Sequence, residues 1–149
     1  MRPSEIREQI LAEHRRVLSL LDSTERCARL VAQGRGDAGE LRRLAHVLEE
    51  IVGELLDEEG SLLDPELRQL DAFGDQRVGQ LERSHRRQRA LLANCREVAE
   101  AQGVEPRLLG ERMLATVEGI RADLQKEQQR FLNAEVLRDD LVIVSQSDG

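Results

Sequence analysis

Four residues stand where an apolar side chain would be expected. Glu59 falls on the helical stripe marked by Leu48, Ile51, Leu55 and Leu62. His14 lies on the stripe of Ile6, Ile10, Val17 and Leu21, and His85 on that of Val78, Leu81, Leu92 and Cys95. Glu127 interrupts a fourth stripe, Met113, Val117, Ile120, Leu124 and Phe131. A carboxylate turned toward a helical core is costly unless it is paired, hydrogen-bonded or bound to a metal. Two imidazoles and two carboxylates in such positions point to a cation held between helices.

An internal repeat reinforces this. His14-Arg15-Arg16 followed by Leu20-Leu21 matches His85-Arg86-Arg87 followed by Leu91-Leu92. Later, Leu56, Glu59 and Leu63 correspond to Leu124, Glu127 and Phe131. The chain therefore reads as two helical hairpins of one design, each with a histidine early on its first helix and a glutamate late on its second. At about 1.5 Å per residue, the histidine and glutamate of each hairpin differ in level by roughly one turn or less. All four converge on one layer near one end. Asp123, one turn before Glu127, can face the same point. Its repeat counterpart is Leu55, which binds nothing. The nearest polar substitutes there are Glu54 and Glu58, on the flank of the stripe, and Glu58 is kept as a sixth candidate ligand.

The same apolar pattern predicts four helices, over about 4–33, 37–63, 76–102 and 106–133. Gly34 and Gly36 end the first, and Asp37 with Glu40 has the spacing of a capping box for the second. Pro65 marks the expected end of the second helix, followed by a connection over 66–75. Gly103 and Pro106 fit the last turn between helices. Short connections imply an all-α, up-down-up-down antiparallel four-helix bundle, a single domain over 1–149 with a short C-terminal tail from Glu135. Within that tail Leu141-Val142-Ile143-Val144 is an apolar run suited to lying against the helices or pairing with another chain. His46 falls on the face opposite Leu44 and Leu48 and reads as solvated.

Composition narrows the function. The 149 residues contain two Phe and no Trp or Tyr, and Leu, Ala, Glu, Arg and Gln favour helix over sheet. A formal net charge of −7 argues against nucleic acid as a partner. No run of about 18 apolar residues suits a membrane. Charges at Arg2, Glu5, Arg7 and Glu8 replace a signal-peptide core, so a cytoplasmic location is expected. Cys27 and Cys95 make no disulfide framework and read as reduced cysteines in or near the core. No Gly-rich phosphate loop or Ser/His/Asp motif is present. No general base or substrate pocket is separately encoded, so a binding protein is expected in preference to an enzyme.

At these residues the chain resembles the hemerythrin-like family of non-haem iron proteins, the HHE cation-binding domains, from Ile6 to about Leu137. The family's first-helix and third-helix ligands match His14 and His85. Its second-helix glutamate matches Glu59, with Leu62-Leu63-Asp64-Pro65 at the expected distance, and its fourth-helix pair matches Asp123 and Glu127. The segment Asp71-Ala72-Phe73-Gly74-Asp75-Gln76-Arg77 looks like a linker of bacterial members. Leu55 departs from the pattern, standing where the family has a second-helix histidine. Asp123 stands where many members have another, and the chain has three histidines in all. A five-histidine oxygen-carrier site is thus not assembled.

The resemblance implies one or two non-haem iron ions on His14, Glu59, His85, Asp123 and Glu127, a set that suits Fe or Mn and is compatible with Zn. It further implies sensing, storage or detoxification of iron, O2, peroxide or NO, with a diatomic or peroxide ligand at an open position. The alternative is a metal-free bundle in which the histidines pair directly with the acids, serving as a scaffold or interaction module with a protein partner or a second copy. A ferritin-like oxidase is suggested only by Glu82-x-x-His85, which occurs once instead of on two helices.

Overall fold

A computed structural model describes residues 1–139. Four helices account for most of them: α1 (Pro3–Ala32), α2 (Ala38–Leu70), α3 (Gly74–Glu100) and α4 (Pro106–Arg130). They form the antiparallel four-helix bundle expected, and no strand occurs among the described residues. Each of α1 and α3 packs against both α2 and α4.

The helix starts follow from local chemistry. Pro3 occupies the first turn of α1, where its missing N–H costs nothing, and Glu5 accepts from the Arg2 backbone N–H at 2.9 Å. Asp37 caps α2 by accepting from the Glu40 N–H at 3.2 Å, in line with the spacing in the sequence. Between α1 and α2, Gly34 and Gly36 take φ of 77° and 78°, a region that penalises any Cβ.

One boundary differs from expectation. Instead of stopping near Leu63, α2 runs through Pro65 to Leu70. An interior proline costs about 3 kcal/mol through a lost hydrogen bond and a ring clash. Here Pro65 lies on the exposed face, as does Ser61, whose carbonyl it leaves without a donor. On the opposite face Leu63 and Leu67 are fully buried against Ile6, Ile10, Val78, Leu81 and Phe131. Packing of this extra turn outweighs the proline penalty, and the expected connection shrinks to Asp71–Phe73. Asp71 shapes it by accepting from the Phe73 N–H at 2.8 Å and from Arg77 at 2.7 Å. Gly74 is needed at the corner, since a Cβ there would lie 2.6 Å from the carbonyl oxygens of Leu67 and Arg68.

Beyond α4, the chain folds back over the start of α1. Leu137 is buried, Arg7 donates to its carbonyl at 2.8 Å, and the Asp139 carboxylate accepts from the Ser4 N–H and hydroxyl at 3.0 and 2.7 Å. The apolar run Leu141–Val144 lies outside the described residues. No described helix is long and apolar enough to cross a membrane.

The core has two apolar clusters. The larger runs from Val17 to Val31 on α1, Leu41 to Leu56 on α2, Leu92 to Ala99 on α3 and Leu109 to Leu124 on α4. The smaller joins Ile6, Ile10, Leu63, Leu67, Val78 and Leu81 to Phe131, Leu132 and Leu137. Between them every stripe is interrupted at the same level: His14 on α1, Glu59 on α2, Ser84, His85 and Gln88 on α3, and Glu127 on α4, all buried.

Candidate metal centre

Glu59 lies at the centre of this layer. Its Oε1 is 2.9 Å from His14 Nε2 and its Oε2 is 3.0 Å from His85 Nε2, so one carboxylate spans two imidazoles from different helices. Glu127, from α4, faces the same two rings at longer range. Its Oε2 is 3.7 Å from His14 Nε2 and its Oε1 is 3.8 Å from His85 Nε2. The repeat in the sequence becomes a repeat in space, with each carboxylate addressing both histidines.

Glu127 is anchored through one oxygen only. Ser84 Oγ and Gln88 Nε2 both donate to its Oε1 at 2.8 Å. Its Oε2, buried and facing His14 and Glu59, has no donor among the described residues. Around the outside, the Gln128 amide meets His14 Nδ1 at 3.2 Å.

The two carboxylates have opposite acidities. Burial pushes the Glu59 carboxyl up, but hydrogen bonds and attraction from His14 and His85 outweigh it, so its pKa falls below the usual carboxylate value. Burial and the repulsion of Glu59 push Glu127 up to about 9, against the opposing pull of Ser84 and Gln88. At neutral pH and without a cation, Glu127 therefore keeps its proton. The raised acidity constant reflects two carboxyl groups buried side by side, of which one stays neutral beside the ionised other.

The residues present fit a metal ion. His14 Nε2, a Glu59 oxygen and a Glu127 oxygen lie within 4.8 Å of one another, a spread that metal–ligand bonds of about 2.0–2.2 Å can span. His85 adds a second imidazole on the far oxygen of Glu59. The set is nitrogen and oxygen without sulfur, which suits Fe, Mn or Zn. The Glu127 oxygen without a hydrogen-bond donor is of the kind a cation would satisfy.

Of the six residues read from the sequence as ligands, His14, Glu59, His85 and Glu127 come together. Asp123 and Glu58 do not. Asp123 is buried but turned toward α3, where Arg87 donates to it at 3.1 Å. Four residues turn a helix by about 400°, so Asp123 is rotated some 40° from Glu127, enough for the guanidinium to capture it. Glu58 is likewise rotated off the stripe and accepts from Gln9 at the surface. Leu55 is packed in the larger apolar cluster. His46 is half-exposed, as read from the helical face it occupies. Cys95 is buried and Cys27 half-buried, both free.

Ser84, Gln88 and Gln128 also contribute to the layer. Ser84 and Gln88 sit at stripe spacing between Leu81 and Leu92, so their polarity at buried positions was a signal present in the periodicity. Gln128 carries no such signal, being one of several glutamines near the end of α4 and off its apolar stripe.

The family model of the hemerythrin HHE cation binding domain matches residues 5–134. The chain belongs to the hemerythrin HHE family. That match spans all four helices and both interrupted hairpins, so the layer of His14, Glu59, His85 and Glu127 lies inside a domain type described by its cation binding. Comparison with curated proteins found no match to the chain, and comparison with solved structures found none.

Proposed function

We propose that this hemerythrin-family chain binds a non-haem metal ion, iron foremost, through His14, Glu59, His85 and Glu127. One observation carries the reading: Glu59 and Glu127 each face both imidazoles, and a buried Glu127 oxygen lacks any hydrogen-bond donor among the described residues. Asp123 stays with Arg87 and Glu58 with Gln9, outside the ligand set.

The protein's residues have separable tasks. Glu59 and Glu127 supply anionic oxygens, while His14 and His85 supply neutral nitrogens. Ser84 and Gln88 hold Glu127 by one oxygen and leave the other free to turn inward. The apolar clusters above and below exclude bulk water. A redox-active ion with an open coordination position would supply reversible binding of O2, peroxide or NO. With two histidines in place of a larger imidazole set, the proposed role is sensing, storage or detoxification and not oxygen transport.

A second reading, a metal-free scaffold, is favoured by the completeness of the network around Glu59, which two imidazoles already satisfy. Metal analysis of protein purified without a histidine tag separates the two. Bound iron in the wild type with loss in His85→Ala supports the metal reading. Equal metal content in both proteins refutes the proposed ligand set, and wild-type protein that takes up no iron when offered Fe(II) establishes the scaffold.

A further inference from the structure

His14 is completely buried, so water cannot serve either of its ring nitrogens. Its Nε2 faces the Glu59 carboxylate, which only accepts hydrogen bonds. Nε2 must therefore carry the proton in the structure as it stands. In the neutral ring Nδ1 then holds the lone pair, and the Gln128 amide nitrogen, 3.2 Å away, donates to it. A metal on His14 demands the reverse, since Nε2 must offer its lone pair and the proton must move to Nδ1. A buried Nδ1–H needs an acceptor, and the contact available to it is Gln128.

We infer that Gln128 is a positioning residue that serves both tautomers of His14, donating to Nδ1 in the metal-free core and accepting from Nδ1–H when Nε2 turns its lone pair inward. The amide can do this because its oxygen and nitrogen ends have nearly the same shape. A half-turn of the terminal torsion exchanges donor for acceptor without repacking. Glutamine lies half-buried here, directly after Glu127, so one turn of α4 supplies a ligand and the partner of a second ligand. No aliphatic side chain of similar size could support either state. The metal half of the inference rests on the function proposed above, whereas the hydrogen bond to Nδ1 does not.

The test compares wild type, Gln128→Leu and Gln128→Glu, with helical content checked by circular dichroism. In metal-free protein, the nitrogen-15 resonance of His14 Nδ1 should move in Gln128→Leu toward that of a lone pair without a donor. An unmoved resonance overturns the inference. With Zn2+ as a diamagnetic probe, Gln128→Leu should bind about 10–100-fold more weakly, the range seen when a ligand's supporting partner is removed. Gln128→Glu, a pure acceptor for Nδ1–H, should restore the affinity. Equal affinity in Gln128→Leu, or no rescue by Gln128→Glu, also overturns it. Failure of wild type to bind Zn2+ or Fe(II) would instead remove the metal reading, while the Nδ1 resonance still decides the role of Gln128.

Discussion

Glu59 and Glu127 confront one another across the bundle core with their acidities driven apart, Glu59 below the ordinary carboxylate value and Glu127 at about 9. Two carboxylates this close do not both ionise in a buried site unless a cation stands with them. On the metal reading proposed above, a cation bound between Glu59 and Glu127 would take the place of the proton on Glu127.

Glu127 has a folded pKa raised above its unfolded value of 4.5, so the unfolded chain binds fewer protons between about 4.5 and 9. Its contribution to stability is complete below that window and is lost as pH rises through it. Metal-free protein should therefore weaken from pH 6 to pH 9, by at most about 1.4 kcal/mol per pH unit from this group. Glu127→Gln, permanently neutral, should flatten that slope in urea titrations across the range.

Metal uptake should show the same proton from the other side. If a cation replaces it, binding near pH 7 releases a proton and affinity rises with pH toward 9. Calorimetry in two buffers of different ionisation enthalpy would reveal the release. Heats independent of the buffer would show that Glu127 is not a ligand.

Removing the shared partner should be the most damaging single change. Glu59→Ala leaves two buried imidazoles facing a cavity, and breaking a buried pair of this kind costs about 3–5 kcal/mol. Glu59→Gln should cost less, because it keeps the shape and one acceptor. Chemical denaturation of the metal-free variants measures both, and equal stability of Glu59→Ala and wild type would contradict the packing described for this layer.

Asp123 provides the control. Since its carboxylate is engaged by Arg87, Asp123→Asn should leave metal content unchanged, while Glu127→Gln lowers it. Parallel metal analysis of the two variants checks the assignment. Loss of metal in Asp123→Asn would return Asp123 to the ligand set.

Periodicity revealed the bundle and the four interrupting residues because a polar side chain on an apolar stripe is visible without coordinates. The common level of His14, Glu59, His85 and Glu127 followed from helix rise alone. Rotation about the helix axis was harder to read. Asp123 and Glu58 lie one turn or one residue from Glu127 and Glu59, and a displacement of tens of degrees handed each to another partner, Arg87 or Gln9. Pro65 misled for a different reason. Its local penalty is real, but burial of Leu63 and Leu67 in contacts distant in sequence exceeds it. Gln128 was hidden because its role depends on a ring 114 positions away.

The most direct test of the central claim is anomalous diffraction at the iron absorption edge from crystals grown after incubation with Fe(II). A peak in the layer between Glu59 and Glu127, within bonding reach of His14 and His85, is the expected result. Crystals that diffract well but show no anomalous peak in that layer would contradict it.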